Sequence, residues 1–407
     1  MAAHVERIVI VGGGVGGVST AAALRAGGYD GELTLVDAGE FPYDRPPLSK
    51  EFLAGAKDFE QLALQRPEWY DEQKVRLVNP ATVTALRADR AGVELADGTF
   101  LPADRVVLAV GGEAARPPIP GGDDPRVHVL RTAEDAERLR SALLPGARIL
   151  VVGAGLIGAE VASTARALGC EVVLADPAAP PLAGAVGEQV AAWLHGVHAE
   201  RGVTTVRAGV ESFTATASGL QARLSGEEHP RVFDAAVLGV GMVPQTALAR
   251  AAGLEVYGGI VVDEGQSTSN PAVLAVGDPV RRRCDGVLLP RAEHWEAAQL
   301  DGRRAAATVL GTPAPAPTAS WFWTDRHGLH VEAVGEPAAA ETLVVRGVLG
   351  VPPFAAFGLR GHIVVGAVAV DDPTSVRAAR RMIDRATTVD PGRLADPSAD
   401  LRRMLRG

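Results

Sequence analysis

The chain opens with a pattern of apolar and glycine positions that predicts a strand, a tight turn and a helix. Residues 8–11 form a short β-branched run and residues 12–17 are rich in glycine. The apolar, alanine-rich residues 18–26 are typical of a helix packed on a sheet. Residues 33–37 then predict a second strand, which ends in Asp37. Together these segments predict a βαβ unit.

The same order of elements returns later in the chain. Residues 148–152 predict a strand, residues 153–158 a glycine turn and residues 159–168 a helix. A second strand over residues 171–176 again ends in an acid, Asp176. Two such units about 140 residues apart predict two nucleotide-binding domains of the α/β class, each with a parallel sheet.

Proline residues and a return of strand patterns divide the rest of the chain. Pro117, Pro118 and Pro120 mark the exit from the first unit, and the stiff residues 311–318 predict a linker. The strand patterns at 260–263 and 273–278 indicate that the first domain resumes there. The predicted domains are a first dinucleotide-binding domain over 1–112 and 245–312, a second over 113–244, and a C-terminal α+β domain over 313–407.

Composition and charge exclude several classes of protein. The 407 residues are 47% hydrophobic and 22% charged, which is ordinary for a globular protein, and the net charge of −9 argues against nucleic-acid binding. Cys170 and Cys284 form no CxxC or CxxxxC motif, so neither a zinc ribbon nor a redox-active pair is expected. The sequence has no signal-peptide pattern and no long apolar window, so we expect a cytoplasmic protein without a membrane span.

The first glycine turn matches a dinucleotide-binding fingerprint. Gly12-x-Gly14-x-x-Gly17 follows a strand and opens a helix, and Asp37 lies twenty positions beyond. The helix N-terminus offers free N–H groups to a pyrophosphate, and the acid can bind ribose hydroxyls. An ordinary tight turn is the alternative, but the strand, helix and acid around the motif favour a nucleotide.

The second turn, Gly153-x-Gly155-x-x-Gly158, meets the same criteria, with Asp176 as its acid. A carboxylate binds a ribose 2′-hydroxyl and repels a 2′-phosphate, so Asp176 favours NADH over NADPH. A duplicated structural unit without a ligand is the alternative. Two fingerprints predict two dinucleotides, of which one is a tightly held flavin, FAD, and the other a diffusing nicotinamide, NADH.

Further motifs carry a family resemblance. In chain order they are residues 43–50 (Tyr-Asp-Arg-Pro-Pro-Leu-Ser-Lys), 268–271 (Thr-Ser-Asn-Pro), 275–278 (Ala-Val-Gly-Asp), 293–295 (Glu-His-Trp) and 321–325 (Trp-Phe-Trp-Thr-Asp). With these motifs the chain resembles the ferredoxin reductases of bacterial oxygenase and cytochrome P450 systems over nearly its whole length. The resemblance implies a glutathione-reductase-type fold with two Rossmann-like domains, in which the FAD domain is split around the NAD domain.

The resemblance also implies site residues. It places Asp278 at the ribityl hydroxyls of the flavin, Trp295 at the isoalloxazine ring, and Lys50 near flavin N5 with Glu160 as its partner. The full set of residues expected at FAD is Gly12, Gly14, Gly16, Gly17, Asp37, Arg45, Lys50, Val83, Ala109, Gly111, Arg131, Asp278, Trp295 and Trp323. The set expected at NADH is Gly153, Gly155, Leu156, Ile157, Gly158, Glu160, Asp176 and Gly241.

Lys50 and Glu160 are the expected catalytic pair. A lysine in a closing flavin site needs a charged partner to offset its desolvation, and its fixed positive charge would stabilise the negative charge of reduced flavin. The alternatives are a solvated lysine after a loop, and a helix N-terminal acid that interacts with the helix dipole. Trp321 is expected in the core.

The missing cysteines indicate the electron acceptor. Disulfide reductases of this fold need a CxxxxC beside the flavin, and related peroxidases or oxidases need one cysteine, but residues 38–60 contain none. A one-electron acceptor such as a [2Fe–2S] ferredoxin fits this absence. An acidic ferredoxin needs a basic docking patch, and the candidates are Arg281, Arg282, Arg283, Arg303 and Arg304.

Several readings stay open at this point. The arginine run is as well explained by an ordinary solvated surface as by docking. The same fold also carries NADH oxidases, rubredoxin reductases and apoptosis-inducing-factor-like flavoproteins that respond to NADH. The resemblance allows a monomer or a weak dimer.

Overall fold

The computed structural model describes residues 5–87 and 91–405. These residues divide into two compact units. Unit 1 comprises Met1–Arg45, Phe59–Glu113 and Met242–Ala316, and unit 2 comprises Pro46–Asp58, Ala114–Gly241 and Pro317–Gly407.

Eleven α-helices form in the described part of the chain. They are α1 (Val15–Ala26), α2 (Pro67–Glu72), α3 (Ala133–Ala142), α4 (Leu156–Ala167), α5 (Ala183–Val186), α6 (Glu188–Glu200), α7 (Ala247–Ala251), α8 (Trp295–Leu310), α9 (Pro373–Asp384), α10 (Pro391–Ala395) and α11 (Leu401–Met404). Short 3-10 helices lie at Pro46–Ser49, Glu60–Leu62 and Pro337–Ala339.

Twenty-six strands lie within the described ranges. The first thirteen are β1 (Arg7–Val11), β2 (Glu32–Val36), β3 (Val75–Val78), β4 (Val83–Arg87), β5 (Gly92–Leu95), β6 (Phe100–Pro102), β7 (Arg105–Leu108), β8 (Gly112–Ala114), β9 (Val127–Val129), β10 (Arg148–Val152), β11 (Glu171–Ala175), β12 (Thr204–Val206) and β13 (Val210–Thr216). The others are β14 (Gly219–Leu224), β15 (Arg231–Phe233), β16 (Ala235–Leu238), β17 (Met242–Pro244), β18 (Ile260–Val262), β19 (Val273–Ala275), β20 (Val280–Cys284), β21 (Val287–Leu288), β22 (Trp321–Arg326), β23 (Leu329–Gly335), β24 (Thr342–Val348), β25 (Val351–Arg360) and β26 (Ile363–Val370).

Unit 1 is built on a parallel sheet of order β19-β7-β1-β2-β3. Alternate residues of β1 face opposite sides, as the period of a strand requires. Ile8 and Ile10 pack under α1 and α8, whereas Val9 and Val11 pack under the antiparallel strands β4-β5-β6. Because both faces are covered, β1 reads as a continuous apolar run.

Unit 2 repeats this arrangement with the sheet β12-β11-β10-β16-β9, whose pairs are parallel. The β10-α4-β11 unit is the counterpart of β1-α1-β2, so the two predicted βαβ units are present. A three-stranded antiparallel sheet, β13-β14-β15, adds its apolar side chains to one face of this core.

The C-terminal part of unit 2 is an antiparallel sheet of order β22-β23-β26-β25-β24. Helix α9 covers one face of it with Val376, Ala379 and Met382. The other face packs against α5 and α6, where Val190 and Leu194 join Phe354 in one apolar cluster. Strand β22 of this sheet also contacts α4, because the Asp325 amide donates to Glu160 Oε1 at 3.2 Å.

The predicted α/β class with two dinucleotide-binding units and an α+β C-terminal part is confirmed. Strand β19 pairs with β7, so the chain does return to the first sheet after residue 242. The three domain boundaries stay a prediction. In residues 5–87 and 91–405, no helix combines the length and apolar character needed to cross a bilayer.

Candidate functional site

The first fingerprint forms a cradle at the end of β1. Gly12 has a φ of 110°, and a side chain at Gly17 would collide with the Gly12 carbonyl oxygen. The amide of Gly13 donates to Asp37 Oδ1 at 3.2 Å, which fixes the acid beside the turn. A Cβ on Gly14 would meet none of the described atoms within 4 Å. The turn is therefore closed where helix meets strand and open at Gly14, the position through which dinucleotide-binding turns admit a pyrophosphate.

The second fingerprint has the same geometry at the end of β10. A side chain at Gly158 would collide with the Gly153 carbonyl oxygen, whereas a Cβ on Gly155 would meet no described atom within 4 Å. The amide of Ala154 donates to Asp176 Oδ2 at 2.7 Å. The first and third glycines of each turn thus have a steric reason, and each predicted acid is held at its cradle by a backbone amide.

Exposed apolar side chains flank the second cradle. Ile157, in the first turn of α4, is 44% exposed, and Val240, which follows β16, is 39% exposed. Leu156 is half-buried beside Ile157, and Gly241 has a φ of 102° directly after Val240. Sequence reasoning missed Val240, because an apolar residue after a buried strand is also typical of ordinary core.

The remaining FAD candidates of unit 1 lie on several of its elements. A Cβ on Gly16 would come within 3.2 Å of Val276 Cγ2, so α1 approaches the turn that carries Asp278. Trp295 begins α8, and its Nε1 donates to Asp44 Oδ1 at 2.9 Å. The others are Ala109 and Gly111 after β7, the buried Val83 on β4, and Arg45 after the β-bridge residue Tyr43.

Glu160 and Lys50 meet in unit 2. Glu160 lies on α4 and is 4% exposed. Its carboxylate accepts hydrogen bonds from Ser49 Oγ, from Thr324 Oγ1 at 2.7 Å and from the Asp325 amide at 3.2 Å. Lys50 Nζ lies 3.7 Å from Glu160 Oε1. The expected ion pair is therefore present, but neutral donors supply most of the partners of Glu160.

Asp325 is the closer acidic partner of Lys50. Its Oδ2 lies 2.8 Å from Lys50 Nζ, which also sits 5.6 Å from the ring centre of Trp323. Its Oδ1 lies 2.6 Å from His330 Nδ1, because Asp325 and His330 are direct cross-strand partners in β22 and β23. Burial raises the pKa of Asp325, but the hydrogen bonds from Lys50 and His330 outweigh this and hold that pKa below its usual range.

Sequence reasoning missed Asp325 and His330 as site residues. The alternation of β22 gives a signal for Asp325, because Trp321, Trp323 and Asp325 share one face of the strand. His330 follows only from the pairing of β22 with β23. Trp321 is half-buried, stacks on Trp323 at 5.0 Å and donates to Glu332 Oε1 at 2.9 Å.

The opposite face of β22 carries a buried positive charge. Arg326 is 3% exposed, and its Nη2 donates to Thr324 Oγ1 at 3.2 Å. Burial lowers the pKa of this guanidinium to about 10, against the attraction of Glu160. Arg326 thus balances Glu160 electrostatically from the side away from Lys50.

Two imidazoles lie in the same buried region. His327 Nε2 and His198 Nδ1 are 2.8 Å apart. Burial and, after it, the charge of Arg326 lower the pKa of His198 to about 3. Burial, then the charges of Arg201 and Arg326, lower the pKa of His327 to about 4. Both rings are therefore neutral at physiological pH and serve the packing of unit 2.

The candidate docking arginines differ in their surroundings. Arg303 is exposed and donates to Gln299 Oε1 at 3.0 Å. Arg304 is 12% exposed and pairs with Asp301 at 3.2 Å, and Arg283 pairs with Glu255 at 2.6 Å. Arg281 lies over the ring of Tyr257 at 5.2 Å, and Arg282 is half-buried on β20.

Arg131 and the cysteines complete the set of predicted residues. Arg131 lies just before α3, where its amide donates to Asp135 Oδ2 at 3.0 Å. Cys170 is fully buried and Cys284 is half-buried, and both are free thiols. Burial raises the pKa of Cys170 above its usual value, which fits a packing role.

Two family models match the chain. The model of pyridine nucleotide-disulphide oxidoreductases matches residues 6–302, and the reductase C-terminal model matches residues 321–405.

Named relatives match the chain over its full length. The ferredoxin–NAD(+) reductase component of the anthranilate 1,2-dioxygenase system of Burkholderia cepacia is 39% identical, over 98% of this chain and 99% of the relative. Putidaredoxin reductase of Pseudomonas putida is 36% identical, over 98% and 97%. The crystal structure of the covalent putidaredoxin reductase–putidaredoxin complex contains a chain with a TM-score of 0.91 and 34% identity, covering 98% of both chains.

Proposed function

This chain belongs to the pyridine nucleotide-disulphide oxidoreductase family, and on that premise we propose that it is an FAD-dependent reductase that passes electrons from NADH to a [2Fe–2S] ferredoxin of an oxygenase or cytochrome P450 system. The observation that carries the proposal is the pair of open glycine cradles, each with a fixed acid. The relatives named as ferredoxin reductases match both cradle regions as well as the C-terminal sheet.

We assign FAD to the cradle of unit 1. Gly12, Gly14 and Gly17 would hold the pyrophosphate at the N-terminus of α1, and Asp37 the ribose hydroxyls. Asp278 and Trp295, which lie where α1 and α8 converge, would contact the flavin half of the cofactor. The other FAD candidates keep the roles that the resemblance implies: Gly16, Arg45, Val83, Ala109, Gly111, Arg131 and Trp323.

We assign NADH to the cradle of unit 2. Gly153, Gly155 and Gly158 would hold its pyrophosphate, and Asp176 a ribose hydroxyl pair, which disfavours NADPH. The exposed side chain of Ile157 supplies apolar surface for a coenzyme that binds and dissociates in each turnover. Leu156, Gly241 and Glu160 complete the proposed coenzyme set.

The chemistry that bound FAD supplies is the conversion of one hydride into two single electrons. Lys50 contributes a fixed positive charge, held in place by Asp325 and Glu160, that favours a negatively charged reduced state. Glu160 keeps the Lys50 ammonium oriented. Hydrogen bonds from Ser49 and Thr324 offset the desolvation of the buried Glu160 carboxylate. Cys170 and Cys284 form no CxxxxC pair for a disulfide relay, so the electrons leave to a one-electron acceptor.

We place ferredoxin docking near Arg303. It is exposed and bonded to a neutral amide, so its charge is available to an acidic partner. Arg283 and Arg304 face carboxylates of their own chain and offer less net charge. Arg281 and Arg282 remain candidates, and a monomer or weak dimer is the proposed state.

An anaerobic titration with NADH, followed by absorbance, tests the function. Purified wild-type protein should show oxidised flavin bands that bleach with one equivalent of NADH. Added putidaredoxin should then support cytochrome c reduction. Asp176→Ala should raise the KM for NADH without loss of flavin, and Asp278→Ala should lose flavin.

The other outcomes separate the alternatives. Bleaching with rapid consumption of oxygen and no ferredoxin reduction would mean an oxidase. A long-lived reduced state that reacts slowly with every acceptor would mean an NADH-responsive flavoprotein, and a colourless protein would contradict the proposal.

A further inference from the structure

The loop that follows Asp176, the acid of the second cradle, carries no positive charge of its own. Residues 177–187 read Pro-Ala-Ala-Pro-Pro-Leu-Ala-Gly-Ala-Val-Gly, without an arginine, a lysine or a histidine. In dinucleotide-binding domains a 2′-phosphate is accommodated by an arginine near the acid, because a guanidinium matches a phosphate in charge and geometry. A cation at the adenosine end of this cradle therefore has to come from another element.

Arg207 supplies such a cation from the neighbouring strand. Ala175 of β11 pairs with Val206 of β12, and the Asp176 amide donates to the Val206 carbonyl at 3.1 Å. Arg207 directly follows β12, so it stands beside Asp176 at the carboxyl ends of two parallel strands. In open α/β sheets ligands bind outside these ends of the strands.

A single peptide group joins Arg207 to Asp176. Arg207 Nε donates to the carbonyl oxygen of Pro177 at 3.4 Å. The amide of the same peptide group, which belongs to Ala178, donates to Asp176 Oδ1 at 2.7 Å. The guanidinium and the carboxylate are therefore separated by the width of one peptide group, a span that the adenosine of one coenzyme can cover.

The charge of Arg207 is not neutralised by its own chain. Its side chain is exposed, and it forms no ion pair with any residue of 5–87 or 91–405. His195 on α6 is a second basic group near Asp176, but burial lowers its pKa against the opposing effect of the carboxylate, so the ring is neutral at physiological pH. An arginine stays charged throughout this range, so Arg207 provides a fixed positive charge beside the acid.

We propose that Arg207 is a specificity residue of the coenzyme site, which contacts the adenosine half of NADH and is kept from accepting a 2′-phosphate by Asp176. The inference rests on the proposed function, which assigns NADH to this cradle. With NADH, the planar guanidinium provides a surface for the adenine ring. With NADPH, the fixed carboxylate repels the phosphate, because the amides of Ala154 and Ala178 hold Asp176 in place. Loss of this one negative charge uncovers a phosphate site.

Calorimetric titration of the oxidised flavoprotein with NAD⁺ and NADP⁺ tests the inference without turnover, since the two ligands differ only in the 2′-phosphate. Asp176→Asn removes the charge and keeps the shape, so it should bind NADP⁺ about tenfold more tightly than the wild type. The double variant Asp176→Asn/Arg207→Ala should return to within about twofold of the wild type. The gain in Asp176→Asn should shrink as salt is added.

Arg207→Ala alone separates a role in binding from a structural one. It should weaken NAD⁺ about threefold and raise the NADH concentration for half-maximal bleaching, while the limiting bleaching rate stays within about twofold, because adenosine lies far from the reacting nicotinamide. Arg223→Ala, at an exposed position on β14 of the same unit, is the matched control and should bind both ligands as the wild type does. Asp176→Ser provides the same test if thermal unfolding shows that Asp176→Asn is not folded.

The failures can be told apart. If the wild type neither binds NAD⁺ nor is bleached by NADH, the proposed function fails and the role of Arg207 falls with it. If the wild type binds NAD⁺, but the loss of the Asp176 charge brings no gain for NADP⁺ or the same gain with and without Arg207, only the inference about Arg207 is wrong. An equal loss of binding in Arg223→Ala would assign the effect to net charge and would also overturn it.

Discussion

The ammonium of Lys50 interacts with several neighbouring groups at once. Its ammonium lies between Asp325 and Glu160, and the two acids are held differently, one by an imidazole and the other by hydroxyl groups. Removal of either acid would leave a buried charge with less compensation, which costs more than the pair itself contributes. The charge at this point is therefore set by a network rather than by a single ion pair.

His198 gives a prediction about pH at the residue scale. Its folded pKa of about 3 lies below the value of about 6.5 expected in the unfolded chain, so the unfolded state binds the proton more readily. Its contribution to stability is complete above about pH 6.5 and falls by about 1.4 kcal/mol for each pH unit below it. The wild type should thus lose about 2 kcal/mol more unfolding free energy than His198→Gln between about pH 7 and about pH 5.

Urea unfolding followed by tryptophan fluorescence at the two pH values measures this difference. His229→Gln, at an exposed position, is the control and should follow the wild type. Equal pH dependence in wild type and His198→Gln would mean that His198 is not buried in its neutral form.

At the scale of elements, the two βαβ units show why three glycines recur at fixed spacing. The third glycine lets the helix approach the turn, because a side chain at that position would collide with the carbonyl oxygen of the first glycine. The second glycine faces open space in both units, which leaves room for a ligand. Fold and ligand binding therefore depend on different glycines of the same motif.

This division predicts different outcomes for two alanine variants, one at the N-cap of α4 and one within its first turn. Gly158→Ala should lower the unfolding free energy by on the order of 3 kcal/mol, because its methyl group collides with the Gly153 carbonyl. Gly155→Ala, whose φ is −66°, should fold normally but raise the KM for NADH by at least about tenfold.

Thermal unfolding and steady-state kinetics check the pair. Gly196→Ala in α6 has the same open surroundings as Gly155 but lies away from the cradle, so it should change neither quantity adversely. Normal NADH kinetics in Gly155→Ala would place the coenzyme elsewhere.

The whole molecule carries a net charge of −9, yet it has to bind a partner that the proposal takes to be acidic. Long-range repulsion then slows association, and a local basic patch has to overcome it. Of the candidate arginines, Arg283 and Arg304 pair with carboxylates of their own chain, so the patch carries less net charge than the run of arginines in the sequence indicates.

Reversing the charge of Arg303 tests that patch. Arg303→Glu should raise the KM for putidaredoxin about tenfold at low salt with NADH bleaching unchanged, and the difference should shrink as salt is added. Arg223→Glu makes the same charge change at an exposed position on β14 and should have little effect. If both variants weaken putidaredoxin equally, net charge rather than docking at Arg303 governs the encounter.

Local patterns in the sequence determined the class of fold, the two cradles, the acids Asp37 and Asp176, and the family. These features depend on neighbours close in the chain, because a βαβ unit is specified by apolar periodicity and by glycines at a turn. The resemblance supplied the pairing of Lys50 with Glu160.

Only the tertiary structure decided which groups surround that pair. Asp325 lies 275 residues beyond Lys50 and bonds it directly, and the pairing of β22 with β23 brings His330 to Asp325. The burial of Arg326 and the accessibility of each arginine also depend on packing between distant segments. Such contacts join residues that are far apart in the chain. No local sequence pattern specifies which distant residues will meet when the chain between them closes into a loop.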